Sequence, residues 1–179
     1  DLDALRETRS GLRGRADVLE GLERELEGFG AGVRAVLGRV RAGDPHLTGV
    51  VGLVAELIAA PRDVAPLIDL ALGDAAQRFV VNAPALGAVL GALGELPGRV
   101  GFVPLAQSPP AAAGGLLPHQ CASELVHSDH PALAHQLLGH VVVVPDLAAA
   151  HALAATLPGV RFVTRTGDLR EPDGTIVVG

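Results

Sequence analysis

The apolar positions of this chain follow two regimes. In the first, Leu5, Leu12, Leu19, Leu26, Val33 and Val40 recur every seventh residue, and Leu22, Phe29 and Val36 fill a second seam in the later heptads. Positions rich in Arg, Glu and Asp lie between them. A seven-residue apolar repeat with charged flanks predicts a helix that supercoils with a second helix. No second heptad segment follows in the chain, and the competing reading is an amphipathic helix lying on its own globular domain. Glycines at 11, 14, 21, 28, 30 and 32 weaken the helix, each by about 1 kcal/mol relative to Ala.

Asp44-Pro45 breaks this helix, because the residue before a proline is pushed out of the helical region. The second regime is an α/β pattern. Residues 47–52 read as a short strand or extended turn, 53–58 and 64–72 as helices, 79–81 as a buried strand, 86–93 as a helix and 99–104 as a strand. Gly73 closes the second of those helices as a C-terminal cap. Residues 106–118 are rich in Ala, Pro and Gly with no apolar period, which predicts a linker or long loop.

Beyond that stretch the pattern recurs. "LALG", "RFVV", an Ala-rich helix and "LPGRVGFVPL" in the first half answer to "QLLG", "HVVVV", an Ala-rich helix over 147–157 and "LPGVRFVTRT" in the second. Leu72-Gly73 corresponds to Leu138-Gly139, and Pro97-Gly98 to Pro158-Gly159. Two similar helix–strand–helix–strand units predict a two-lobed domain rather than one continuous sheet. The fold class is α/β (α+β). The divisions are residues 1–43 for the helical arm, 44–105 for lobe I, 106–119 for the linker and 120–179 for lobe II.

Composition removes several functions. All 14 basic residues are Arg, so a phosphate-binding loop of the G-x-x-x-x-G-K-[ST] type, which needs its Lys, is excluded from this stretch. Cys121 is the lone cysteine and permits no internal disulfide. The apolar runs are too short or interrupted to cross a bilayer. Net charge is −6 over the chain. Residues 1–43 balance 8 Arg against 8 acids, and the whole deficit lies in residues 44–179. A field of that sign repels nucleic acid globally, so any contact with it must be local.

The ordered set "HLTGVVGLVAELIAAPRDVAPLIDLALGDAAQRFVV", "GRVGFVPL", "LLGHVVVVPDLAAAHALAATLPGVRFVTRTGDL" and "PDGTIVVG" resembles the hinge domain of SMC (structural maintenance of chromosomes) proteins, over residues 47–179. The heptads ahead of it match the expected end of a coiled-coil arm. The resemblance implies a non-catalytic dimerisation hinge in a bacterial chromosome-segregation and condensation protein, cytoplasmic and nucleoid-associated, whose ATPase head lies elsewhere. It implies no cofactor in this stretch. The implied partners are a second copy, the returning arm, and DNA held weakly and without sequence preference. It further implies strand-to-strand pairing between an edge of one lobe and the other lobe of the second copy, near Gly167, Gly174, Ile176, Gly179, Arg99 and Phe102. The family pattern P-G-G-x-h-x-G-G falls on residues 172–179, where Asp173 and Val178 stand in place of glycines.

His127, His130, His135 and His140, with His119 and Cys121 upstream, match no common zinc spacing and read as ordinary histidines. The glycines of 87–98 lack the register of a dinucleotide fingerprint. For DNA, Arg34, Arg39 and Arg41 form an acid-free patch at the arm junction, and Arg161 and Arg165 lie near the end of the chain. The alternative function is a small-molecule-binding or enzymatic domain that uses the cleft between the lobes.

Overall fold

A computed structural model of the chain describes residues 28–105 and 121–179. The earlier heptads and the 106–119 linker lie outside the described residues. The elements run α1 (Ala31–Arg41), a 3-10 turn (Pro45–Leu47), β1 (Val50–Leu53), α2 (Val54–Leu57), α3 (Ala65–Leu72), β2 (Phe79–Asn82), α4 (Leu86–Leu93) and β3 (Phe102–Leu105). After the linker come α5 (Pro131–Leu138), β4 (Val141–Val144), α6 (Leu147–Ala154), β5 (Arg161–Thr164), β6 (Leu169–Arg170) and β7 (Ile176–Val177).

The repeat is visible element by element. Each unit is an 8-residue helix, a 4-residue strand, an 8-residue helix and a 4-residue strand. Within each unit the strands pair in parallel, Phe79 beside Phe102 and Val141 beside Arg161. A parallel pair needs a crossover connection, which α4 and α6 supply. Lobe I adds β1 antiparallel to β2, and lobe II adds β6 and β7 as an antiparallel meander, giving sheets ordered β1-β2-β3 and β4-β5-β6-β7.

Successive strand residues point to opposite faces, and here both faces are apolar. Val80 points to an inner core and its neighbours Phe79 and Val81 to an outer one. In β4, Val141 and Val143 point inward, Val142 and Val144 outward. The inner core is shared between the lobes. Val54, Ile68, Leu72 and Val80 pack in one cluster with Leu133, Leu138, Val141 and Val163. A backbone bridge joins the lobes as well, Ala59 and His127 exchanging hydrogen bonds of 2.8 and 2.7 Å. The lobes are thus two sheets around one core, which leaves far less cleft between them than the repeat alone predicts.

The heptad stripe ends differently from its sequence expectation. Val33, Val36 and Leu37 of α1 are buried with Leu47, Leu53, Phe79, Val81 and Val89 of lobe I. Over residues 31–41 the apolar seam is therefore covered by the chain's own domain rather than by another helix. Close approach is possible because Gly32 faces Gly98, and a Cβ on Gly32 would collide with the Gly98 carbonyl.

Smaller shifts have local causes. The helix expected over 53–58 shrinks to Val54–Leu57, because Leu53 is still strand and Val54 N–H donates to Arg78 O. The strand expected over 99–104 starts only at Phe102. The helix expected over 147–157 stops at Ala154, where the N–H groups of Thr156 and Leu157 both turn onto Leu153 O.

Candidate functional site

The last 16 residues build two hairpins on the same plan. In the first, Gly167 N–H donates to Thr164 O and Thr164 N–H to Asp168 O. In the second, Gly174 N–H donates to Glu171 O and Glu171 N–H to Thr175 O. Both glycines have φ of +93°. This is a type I turn followed by a left-handed residue that forms a bulge. The Thr-Arg-Thr-Gly-Asp segment is the bend of a hairpin, and its polar groups bind one another. Buried Thr164 and exposed Thr166 both place Oγ1 on Asp168 Oδ2, at 2.9 and 2.7 Å. In the second turn Asp173 Oδ1 accepts Thr175 N–H at 2.8 Å, and that bond holds the carboxyl below its usual range. Asp173, in place of a glycine, thus fastens the turn.

The resemblance predicts bare strand edges in both lobes, but the described residues show a contrast. At β1, the outward Leu53 N–H is taken by Glu56 Oε2 at 3.1 Å. At β3, the bond from Phe79 N–H to Gly101 O fixes the alternation. Phe102 and Pro104 therefore present their backbone groups outward. Pro104 has no N–H to offer, and its carbonyl is occupied by Gln136 Nε2 of lobe II at 3.2 Å. At β4, the segment at Cys121 bridges Val142. Three of the edges are thus blunted from within the chain.

The edge of β7 is open. The bond from Glu171 N–H to Thr175 O, with Leu169 facing Val177, directs Thr175 and Val177 toward β6. Ile176 and Val178 must then point their N–H and C=O groups away from the sheet. These two residues are 51% and 66% exposed, and Val177 is 47% exposed. An unpaired edge under exposed apolar side chains is a template for another strand. Val177 and Val178 belong to this surface although the motif pointed only to Ile176. Their exposure depends on β7 lying outermost, which no residue pattern states.

The remaining interface candidates divide. Gly167 and Gly174 shape the turns that present β7, and Gly179 returns close to Gly167. Arg99 is exposed. The Phe102 ring stacks on Phe79 with centroids 5.9 Å apart, so its side chain belongs to the outer core and only its backbone faces outward.

Arg39 and Arg161, both expected to meet DNA, are engaged within the chain. Arg39 pairs with Asp44 and donates to Ala92 O and Leu93 O at the end of α4. Arg161 Nε donates to Glu171 at 2.8 Å and its Nη1 to Ala71 O near the end of α3, also at 2.8 Å. The last carbonyls of a helix lack intrahelical partners and carry partial negative charge, which explains why both guanidinium groups sit there. Arg34, Arg41 and Arg165 are exposed.

A cleft of about 400 Å³ survives between the lobes, lined in part by Asp74, Arg78, Gln136, His140, Arg161 and Glu171. Its central charges, Arg161 and Glu171, face each other rather than open space. Desolvation, with Arg161 close by, holds His140 below its ordinary value of 6.5. Gln136 Oε1 is buried without a partner, one acceptor where an orienting set is needed. Cys121 is buried with its Sγ on Ser123, Leu138 and Gly139 oxygens. Among the described residues no group of His, Cys, Asp and Glu is placed to hold a metal. No helix among them is long and apolar enough to cross a membrane.

Comparison with known proteins agrees with this architecture. Residues 47–154 match the family described as SMC proteins Flexible Hinge Domain. The chain is 34% identical over 188 residues to the chromosome partition protein Smc of Myxococcus xanthus, and 32% identical over 181 residues to that of Bacillus subtilis. Those matches cover 98% and 93% of this chain but only 16% and 15% of the relatives. Among solved structures, the SMC hinge domain of Geobacillus stearothermophilus, crystallised as an asymmetric dimer, matches with a TM-score of 0.69 at 35% identity, covering 97% of this chain and 75% of that one. The Pyrococcus furiosus SMC hinge domain matches with a TM-score of 0.68 at 29% identity, covering 88% and 84%. With paired lobes, a docked helix end and a family match over most of its length, this chain belongs to the SMC hinge domain family.

Proposed function

We propose that this domain joins two copies of its chain, with the open β7 edge of one copy laid against lobe I of the other. In the full-length protein this would link two coiled-coil arms of an ATP-driven ring that organises the bacterial nucleoid. The single observation that carries the reading is the β7 edge, unpaired and apolar among the described residues, where β1, β3 and β4 are each covered at least in part. In lobe I, the outward N–H and C=O of Phe102 are the groups of β3 left to receive it, with Arg99 beside them. The asymmetric dimer of the Geobacillus stearothermophilus hinge supports self-association in this family. Burial and backbone hydrogen bonds hold such a contact, so it should persist at high salt.

Sedimentation equilibrium tests this directly. The unaltered protein should sediment as a dimer at micromolar concentration in low and high salt. The pair Ile176→Asp and Val178→Asp should shift it to monomer while leaving the circular dichroism unchanged. A strictly monomeric unaltered protein would overturn the proposal.

DNA contact is a weaker, separate function, carried by Arg34, Arg41 and Arg165 on the exposed surface. Each phosphate neutralised contributes about −0.9 to the slope of log K against log salt. Removing Arg34 and Arg165 together should flatten that slope by roughly 2. An unchanged slope would remove these residues from the DNA interface.

A further inference from the structure

We propose that Arg39 fixes the orientation of α1 on lobe I. Helix α1 begins at Ala31, after left-handed Gly28 and extended Gly30, and Arg39 lies in its last turn. Arg39 joins three segments that are far apart in sequence. Its Nε and Nη2 reach Asp44 Oδ2 at 2.9 and 2.8 Å, on the turn that follows α1. Its Nη1 donates to Leu93 O at 3.1 Å and its Nη2 to Ala92 O at 3.0 Å, across the end of α4. Asp44 relays the contact onward, its Oδ1 accepting His46 N–H at 2.9 Å. That bond and the Arg39 guanidinium both keep the carboxyl below its ordinary value of 3.8.

The geometry is directional. The apolar stripe of Val33, Val36 and Leu37 holds the helix against lobe I by burial, which is non-directional. A planar guanidinium that engages a carboxylate and two carbonyls tolerates little rotation, and Lys cannot reproduce the fork. The helix also lies hard against lobe I near its start, where a side chain on Gly32 would collide with the Gly98 carbonyl. Gly32 and Arg39 are seven residues apart, about 10 Å along an α-helix. A rod held at two points that far apart has a defined direction. The side chains of Arg39 and Asp44 are only 32% and 19% exposed, so the contact is partly shielded from solvent.

Pulsed dipolar spectroscopy reads this direction. Spin labels go on exposed positions, Arg34→Cys on α1 and Asp69→Cys on α3, with buried Cys121 replaced by Ala. Excess unlabelled protein confines the signal to distances within one chain. With Arg39 present, a single narrow distance is expected. Arg39→Gln should lose the narrow component, Arg39→Lys should restore part of it, and Gly32→Ala should shift it. A second label pair, Asp69→Cys with Arg165→Cys, reads the lobe-to-lobe distance and should not change. An unchanged α1 distance in Arg39→Gln would overturn the proposal, as would equal broadening of both pairs, which signals general loosening. If Arg39→Gln does not fold, Asp44→Asn removes the charge partner and must broaden the α1 distance for the proposal to stand. Sedimentation of the same variants tests the dimer separately, since Arg39 is remote from β7 in sequence and bonded to other segments.

Discussion

Lobes I and II are built from the same helix–strand–helix–strand unit, yet they meet their surroundings in opposite ways. Lobe I is finished on its outer face by α1 and α4, and its strand margins are capped by Glu56, Pro104 and Gln136. Among the described residues, lobe II has only α6 on its outer face, over a small core of Val142, Val144, Ala150, Val160 and Phe162. It ends in a meander whose last strand is bare. The shared unit makes the fold, and the additions to each copy of it make the difference in role. Lobe I carries α1 on its outer face, and lobe II offers an edge.

The sharpest challenge to that division is whether the lobes are separable at all. Leu133 of lobe II is fully buried in the core shared with lobe I. Leu133→Ala should cost about 2–5 kcal/mol, and calorimetry should still show one transition. Two resolved transitions would mean that the shared core does not couple the lobes. The next largest effect concerns the edge. The Ile176→Asp and Val178→Asp pair should weaken association at least about tenfold, or 1.4 kcal/mol. Leu90, 48% exposed on α4 of lobe I, should tolerate Leu90→Asp with no change in mass by sedimentation.

Turn glycines and helix glycines make a subtler contrast. Gly167→Ala and Gly174→Ala force a Cβ into a φ of +93° and should each cost about 1–2 kcal/mol in chemical denaturation. Their losses should be similar, since the turns share one geometry. Gly91 sits in α4 of lobe I with open space around it, and Gly91→Ala should stabilise by about 0.5–1 kcal/mol. The smallest effect is on pH dependence. His140 titrates below its ordinary 6.5 because burial disfavours its charge, so the fold favours the neutral ring. That contribution is complete above the ordinary value and is lost as pH falls through it toward the folded value. Thermal melts of His140→Asn should lose less stability between neutral and mildly acid pH than those of the unaltered protein.

Much of this was readable in advance where the cause is local. The limits of α4 follow from an apolar period that runs into Gly94, whose φ is +64°. The sequence match between 72–73 and 138–139 marks the ends of α3 and α5. What could not be read depends on residues far apart along the chain. Arg39 and Arg161 look like free cations in sequence, because their carbonyl partners lie 53 to 54 and 90 residues away. The end of the heptad stripe implied another helix, since a seam does not say whether a helix or a sheet will cover it. The bare margin of β7 and the capped margins of lobe I differ through single side chains, Glu56 and Gln136, which carry no motif.

The continuous interior between the lobes has a mechanical consequence. Force applied to α1 would enter lobe I at Gly32 and Arg39 and reach the packed aliphatic centre that both lobes share. The two lobes would then turn together under load, because one interior serves both.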